Sequence, residues 1–189
     1  TQRPQRVAGL HFFNPVPLMK LVEVIQGART DEATLHTLQA FAESLGKTAV
    51  LARDTPGFIV NRVARPFYGE AFKILEECGG VTPQNLTIID TVMREAGGFR
   101  MGPFELMDLT GIDVNYPVSK IIAGGYMDDP RLKTSANHMA MFDAGLFGRK
   151  TGKGWYEYED GRPKDRPSAD FTTTARPARK VALASAQTL

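Results

Sequence analysis

The chain has 189 residues, a formal net charge of +2, and 42% hydrophobic and 23% charged residues, ordinary values for a globular protein of one domain or one and a half. So small a charge, with no basic stripe interleaved with aromatics, leaves no case for nucleic acid, and no apolar run approaches the ~20 residues that span a bilayer. The lone cysteine, Cys78, excludes a disulfide framework and a Cys-based zinc site and fits a reducing, cytoplasmic setting.

Thr1 lies inside a Gln-Arg-Pro stretch leading into a strand, which reads as the middle of a longer protein. Residues 1–53 follow as strand, loop, strand, helix, strand. Two β-rich runs, 7–13 and 21–25, flank a loop that contains Pro15 and Pro17. Asp31 is placed to cap a helix with Leu35, Leu38, Phe41, Ala42 and Leu45 at three- and four-residue spacing, and Gly46 closes it. Residues 48–52 read as a short strand of buried type. From Asp54 the pattern turns helical. Asp54-Thr55-Pro56 offers a capping side chain followed by proline. Residues 57–78 then carry Phe58, Ile59, Val63, Phe67, Ala71, Ile74 and Leu75 at helical spacing, and Pro66 is expected to kink or divide this helix. Thr82-Pro83 starts the next, to Ala96, with Leu86, Ile89, Val92 and Met93 inward. Shorter helices are predicted at 103–109, 113–123 and 135–144, most opening on Pro, Asp or Ser and closing on glycine. Gly148 to Gly154 is a glycine-rich basic loop and 155–158 a short final strand or extended piece. Residues 159–189, with Pro163, Pro167 and Pro177, read as a polar linker or disordered tail. The predicted fold class is mainly α, with an α/β layer in front.

One pairing in this order carries chemistry. If the runs around the proline loop pair as antiparallel neighbours about Pro17, then Phe13 faces Leu21 and His11 faces Glu23, all on one sheet face. A histidine steadied by a carboxylate moves protons near neutral pH. A merely hydrogen-bonded histidine in a strand satisfies the same spacing. Asn61, early in the helix after Pro56, either donates to a substrate oxygen with help from the helix dipole or lies on a solvated face. Asn14 is a natural cap for the Asn-Pro turn. Arg149, Lys150 and Lys153 have no acidic neighbour between Leu146 and Gly154; they suit a dinucleotide or CoA phosphate, or an exposed turn. His36 and His138 lack partners at ligand spacing, so no metal is expected.

Gly9-Leu10-His11-Phe12-Phe13-Asn14-Pro15 resembles the signature of the 3-hydroxyacyl-CoA dehydrogenases. So do Leu21-Val22-Glu23-Val24-Ile25, Asp54-Thr55-Pro56-Gly57-Phe58-Ile59-Val60-Asn61-Arg62, Gly102-Pro103-Phe104-Glu105-Leu106-Met107-Asp108 and Gly148-Arg149-Lys150-Thr151-Gly152-Lys153-Gly154-Trp155-Tyr156, in family order over residues 7–158. The stretch 94–115 looks most like bacterial enzymes of phenylacetate catabolism, which act on 3-hydroxyadipyl-CoA or related acyl-CoAs. The resemblance implies that residues 1–53 are the end of a truncated Rossmann-type NAD-binding domain and 54–158 a helical C-terminal dehydrogenase domain that forms a homodimer. It implies oxidation of a 3-hydroxyacyl-CoA thioester to the 3-ketoacyl-CoA, as in fatty acid beta-oxidation, with hydride passing to NAD. His11 would be the acid–base residue, Glu23 its orienting partner and Asn61 the third catalytic residue, with Asn14 and Lys150 binding the cofactor. The family's Gly-x-Gly-x-x-Gly fingerprint for the NAD pyrophosphate, and its active-site serine, have no counterpart here. Most of the NAD site is therefore expected to be missing, and the alternative reading is a catalytically inert helical dimerisation module. A helical domain of the 6-phosphogluconate or hydroxyacid dehydrogenases fits less well, because the His-Phe-Phe-Asn-Pro and Gly-Arg-Lys-Thr-Gly-Lys-Gly motifs occur together.

Overall fold

The computed structural model describes residues 1–164, 166 and 167. Its first layer is a three-stranded sheet built from β1 (Gly9–Phe12), β2 (Leu21–Gln26) and β3 (Thr48–Arg53), with helix α1 (Glu32–Ser44) crossing between β2 and β3. β1 runs antiparallel to β2, and β2 parallel to β3, the direction a helical crossover demands. Asp31 caps α1 as predicted, accepting from the Thr34 amide at 2.8 Å. The central strand buries Val22, Glu23, Val24 and Ile25 in succession, as expected of a strand covered on both faces. β3 departs from the sequence reading. Only Ala52 in it is buried and Leu51 is exposed, because β3 is an edge strand of this sheet.

The second layer holds α2 (Val60–Glu77), α3 (Pro83–Glu95), α4 (Pro103–Thr110), α5 (Ile112–Gly125) and α6 (Ala136–Asp143). Helix α2 begins four residues later than Pro56 suggests. Gly57 and Phe58 take positive φ values of 79° and 46°, so the chain turns sharply before the helix can propagate. A Cβ at Gly57 would lie 2.6 Å from the Ile122 side chain, so only glycine fits there. Pro66 stays inside α2 and does not divide it. The predicted apolar stripe of α2 is shared between two faces. Ala71 and Leu75 are buried with Tyr68 and Phe72, whereas Ile59, Val63 and Ile74 are exposed. Val92 of α3 is likewise exposed, leaving Leu86 and Ile89 to face the core.

Beyond α6, a 3-10 turn at Arg149–Thr151 leads to Trp155, Tyr156 and Tyr158, all packed in the helical core with Phe104 and Met107. Strands β4 (Tyr158–Glu159) and β5 (Arg162–Pro163) form a small hairpin. The segment assigned from sequence to a linker therefore opens with paired backbone. Arg166 follows on, ion-paired to Glu105 and lying 3.8 Å over the Tyr156 ring. The remainder of the 159–189 assignment lies outside the described residues.

Candidate active site

The β1–β2 register places His11 directly opposite Glu23 and Phe12 opposite Val22, the pairing expected for a turn centred on Pro17. Directly opposed residues project to the same face. The side chains meet there, with His11 Nδ1 2.7 Å from Glu23 Oε2. A carboxylate only accepts, so Nδ1 is the donor of this hydrogen bond, and in the neutral ring the lone pair then lies on Nε2. The His11 side chain is 31% exposed and that of Glu23 fully buried. The imidazole is walled by Phe13, 4.8 Å away edge-on, and by Phe58 at 5.5 Å.

Glu23 has a second task that sequence reasoning missed. Its Oε1 accepts from the backbone amides of Ile59 at 2.9 Å and Val60 at 3.0 Å. Those amides are the first unpaired donors of α2, whose own cap residue, Ile59, provides no side-chain bond. The carboxylate thus caps a helix more than thirty residues away in sequence, in the favourable field of its N-terminus. The available signal was a helix opening on Gly57-Phe58-Ile59 with no Ser, Thr, Asp or Asn at its cap. With three donors on two oxygens, the buried charge is satisfied.

Asn61 is the second residue of α2, inside the turn that Glu23 caps. Its Oδ1 accepts from Arg65 Nη2 at 3.4 Å and its backbone oxygen from Arg65 Nε at 3.0 Å. Arg65 itself is buried, and sequence reasoning did not single it out. Asn14 is exposed just past the end of β1, one residue beyond Phe13, and is joined to Pro15 by a cis peptide.

Lys150 has a different setting from the one anticipated. It ion-pairs with Asp113 at 2.5 Å, at the start of α5. Lys153 pairs with Glu157 at 2.9 Å, and Arg149 lies over the Tyr158 ring at 5.6 Å. The acidic partners absent from the local sequence come from elsewhere in the fold and from Glu157. The glycines of this loop also have a packing cause. A Cβ on Gly154 would lie 2.1 Å from Asp108 Oδ1, and the buried Asp108 accepts from the amides of Trp155 and Tyr156 and from the Tyr158 hydroxyl, each at 2.9 Å.

Residues 1–55 match the family model described as the 3-hydroxyacyl-CoA dehydrogenase NAD binding domain, and residues 57–158 match that of the C-terminal domain. The chain is 44% identical over 161 residues to the 3-hydroxyadipyl-CoA dehydrogenase of Escherichia coli K12, which takes in 85% of this chain and 33% of that protein. It is 44% identical over 163 residues to the mitochondrial hydroxyacyl-coenzyme A dehydrogenase of Sus scrofa, covering 84% and 49% respectively. Among solved structures, the 3-hydroxybutyryl-CoA dehydrogenase of Escherichia coli K12 superposes with a TM-score of 0.78 at 42% identity, over 87% of this chain and 33% of the other. The (S)-3-hydroxybutyryl-CoA dehydrogenase of Ralstonia eutropha gives 0.76 at 36% identity, over 84% and 54%. The chain therefore spans between a third and about half of the length of these relatives.

Proposed function

Because the chain belongs to the 3-hydroxyacyl-CoA dehydrogenase family, we propose that it carries the acid–base half of a site that oxidises the 3-hydroxyl of a 3-hydroxyacyl-CoA to a ketone. The observation that carries this reading is the His11–Glu23 pair, held at 2.7 Å with the ring partly exposed and the carboxylate fixed to a helix terminus. His11 Nε2 takes the hydroxyl proton, and Glu23 offsets the imidazolium charge that results. Asn61 donates from its amide nitrogen to the same substrate oxygen, at the positive end of α2. In the reverse direction His11 returns the proton.

NAD, when bound, supplies the hydride acceptor. Asn14, exposed just past the end of β1, would hold the cofactor's carboxamide, to which it offers both a donor and an acceptor. Lys150 stays a candidate for a phosphate contact only by exchanging Asp113 for that ligand. The family's glycine fingerprint does not occur among these 189 residues, so cofactor affinity is to be measured in a full-length enzyme carrying this chain. We further propose that the helical layer dimerises. Val63 at 72% and Ile59 at 42% exposure put an apolar strip of α2 in solvent, of the kind an isologous contact covers. Among the described residues no helix is long and apolar enough to cross a membrane.

The test is His11→Gln in the full-length enzyme. We expect kcat to fall by about 10²–10⁴-fold, the usual scale of general acid–base catalysis, with KM for the acyl-CoA nearly unchanged. Near-normal turnover removes His11 from the mechanism.

A further inference from the structure

We propose that Arg65 is a positioning residue: it grips Asn61 so that the amide nitrogen faces the substrate oxygen, and its buried charge polarises that amide. This rests on the dehydrogenase reading above. Arg65 lies one turn after Asn61 on α2 and is only 7% exposed. A buried guanidinium ordinarily sits against a carboxylate, because an unpaired charge in a low-dielectric interior is costly. Among the described residues none pairs with it. Its partners are all neutral: Asn61 through Nε and Nη2, Ser119 Oγ at 3.0 Å and the Asn115 carbonyl at 3.4 Å through Nη1. The guanidinium carbon stands 4.8 Å from the centre of the Tyr68 ring. Burial lowers the Arg65 pKa from its ordinary value, but that value is so high that the group stays charged at any working pH.

Two consequences follow for Asn61. Its amide has one acceptor end and one donor end. With Oδ1 on the guanidinium, a flip would set Nδ2 against Arg65 donors, so the amide is locked with its N–H groups pointing the other way. The chain from guanidinium to carbonyl to N–H also polarises cooperatively, which makes the far N–H a better donor. Negative charge grows on the substrate oxygen as its proton leaves for His11. A donor backed by a fixed positive group meets that charge best. Ser119 and Asn115 belong to α5, so the grip is anchored on a second helix and the orientation does not depend on α2 alone. A plain tether between α2 and α5 would use the same contacts without acting through Asn61.

The experiment is a double-mutant cycle on the full-length enzyme, with Arg65→Met, Asn61→Ala, their combination, and Arg65→Lys. Arg65→Met is expected to lower kcat by about 10–100-fold with KM within about threefold, the scale of losing part of one oxyanion donor. Added to Asn61→Ala, it is expected to change kcat by less than about twofold, since the effect travels through the missing amide. Arg65→Lys keeps the charge and is expected to restore part of kcat. Should Arg65→Met fail to fold, Ser119→Ala loosens the other end of the guanidinium and is expected to lower kcat several-fold at constant KM. Equal losses from Arg65→Met with and without Asn61, or a lowered melting temperature at unchanged kcat, overturn the positioning role. Wild-type turnover with such additive losses leaves the dehydrogenase reading standing; a wild type without turnover on any 3-hydroxyacyl-CoA overturns both.

Discussion

Glu23, at the junction of sheet and helix, and the pair Asp90 and Asp108, deep in the helical layer, are built on one plan and used differently. Each is a buried carboxylate that accepts two successive backbone amides and one side-chain donor. For Glu23 these are Ile59, Val60 and the His11 ring. For Asp90 they are Phe104, Glu105 and the Tyr156 hydroxyl at 2.7 Å; for Asp108 they are Trp155, Tyr156 and the Tyr158 hydroxyl. The difference lies in the third partner. A tyrosine hydroxyl sealed in the core keeps its proton near pH 7, and burial raises the pKa of Tyr156 and Tyr158 further. An imidazole that is partly open to solvent can give and take one. A capped amide pair makes a firm mount for a carboxylate; on the role proposed for His11, the exposure and chemistry of what the mount holds decide whether it serves stability or proton transfer.

Exchanging the carboxylates for amides tests this contrast most severely. Glu23→Gln lets the new carbonyl keep the α2 amides but turns an N–H toward His11 Nδ1. The imidazole must then carry its proton on Nε2, where it cannot act as a base. We expect kcat to drop by about 10³–10⁴-fold, on the scale of the same exchange in catalytic triads, while denaturant unfolding shows a much smaller change. Asp108→Asn should do the reverse. Its amide faces two backbone donors and a hydroxyl, and we expect about 2–4 kcal/mol of lost stability from unpaired buried groups, with kcat of the folded fraction intact. If both substitutions damage activity and stability alike, the distinction fails.

The two histidines sharpen the same point. Among the described residues His138 has no acid beside it and Nε2 has no partner; it is buried between Phe72 and Tyr116, each 5.2 Å away. Burial, and secondarily the Arg65 charge, push its pKa down to about 4. The unfolded chain therefore binds the proton first as pH falls, so this group's contribution is intact above about pH 6.5 and is lost on the way down to about 4. His138→Phe should remove that loss. Relative to wild type, the variant is expected to gain up to about 3 kcal/mol across that window in pH-resolved denaturation. A constant difference at all pH values would contradict it. The smallest effect is expected at Lys150. Its exposed pair with Asp113 should be worth less than about 1 kcal/mol, so exchanging it for a cofactor phosphate costs little, and Lys150→Ala is expected to weaken NADH binding by a few-fold. Unchanged NADH affinity in fluorescence titration would remove Lys150 from the cofactor site.

Legibility followed range along the chain. The His11–Glu23 register could be read because a proline loop fixes the centre of a hairpin twelve residues across. The starts of α1, α3 and α6 could be read because Asp31, Thr82 and Ser135 cap their own helices. The start of α2 could not, since its cap arrives from Glu23 in another element and the local Asp54-Thr55-Pro56 signal points to an earlier start. Nor could the glycine loop be assigned. Its spacing suits a phosphate as well as it suits Asp108, and only tertiary contact distinguishes them. Arg65 reads as an ordinary polar helix residue until α5 closes over it.

The carboxylate of Glu23 sits where the two layers of the molecule join. One of its oxygens meets His11 on the sheet and the other meets the first amides of α2. The place of the imidazole is thus set by the helical layer as well as by its own strand, and a change that displaces the opening of α2 reaches the ring through a single side chain.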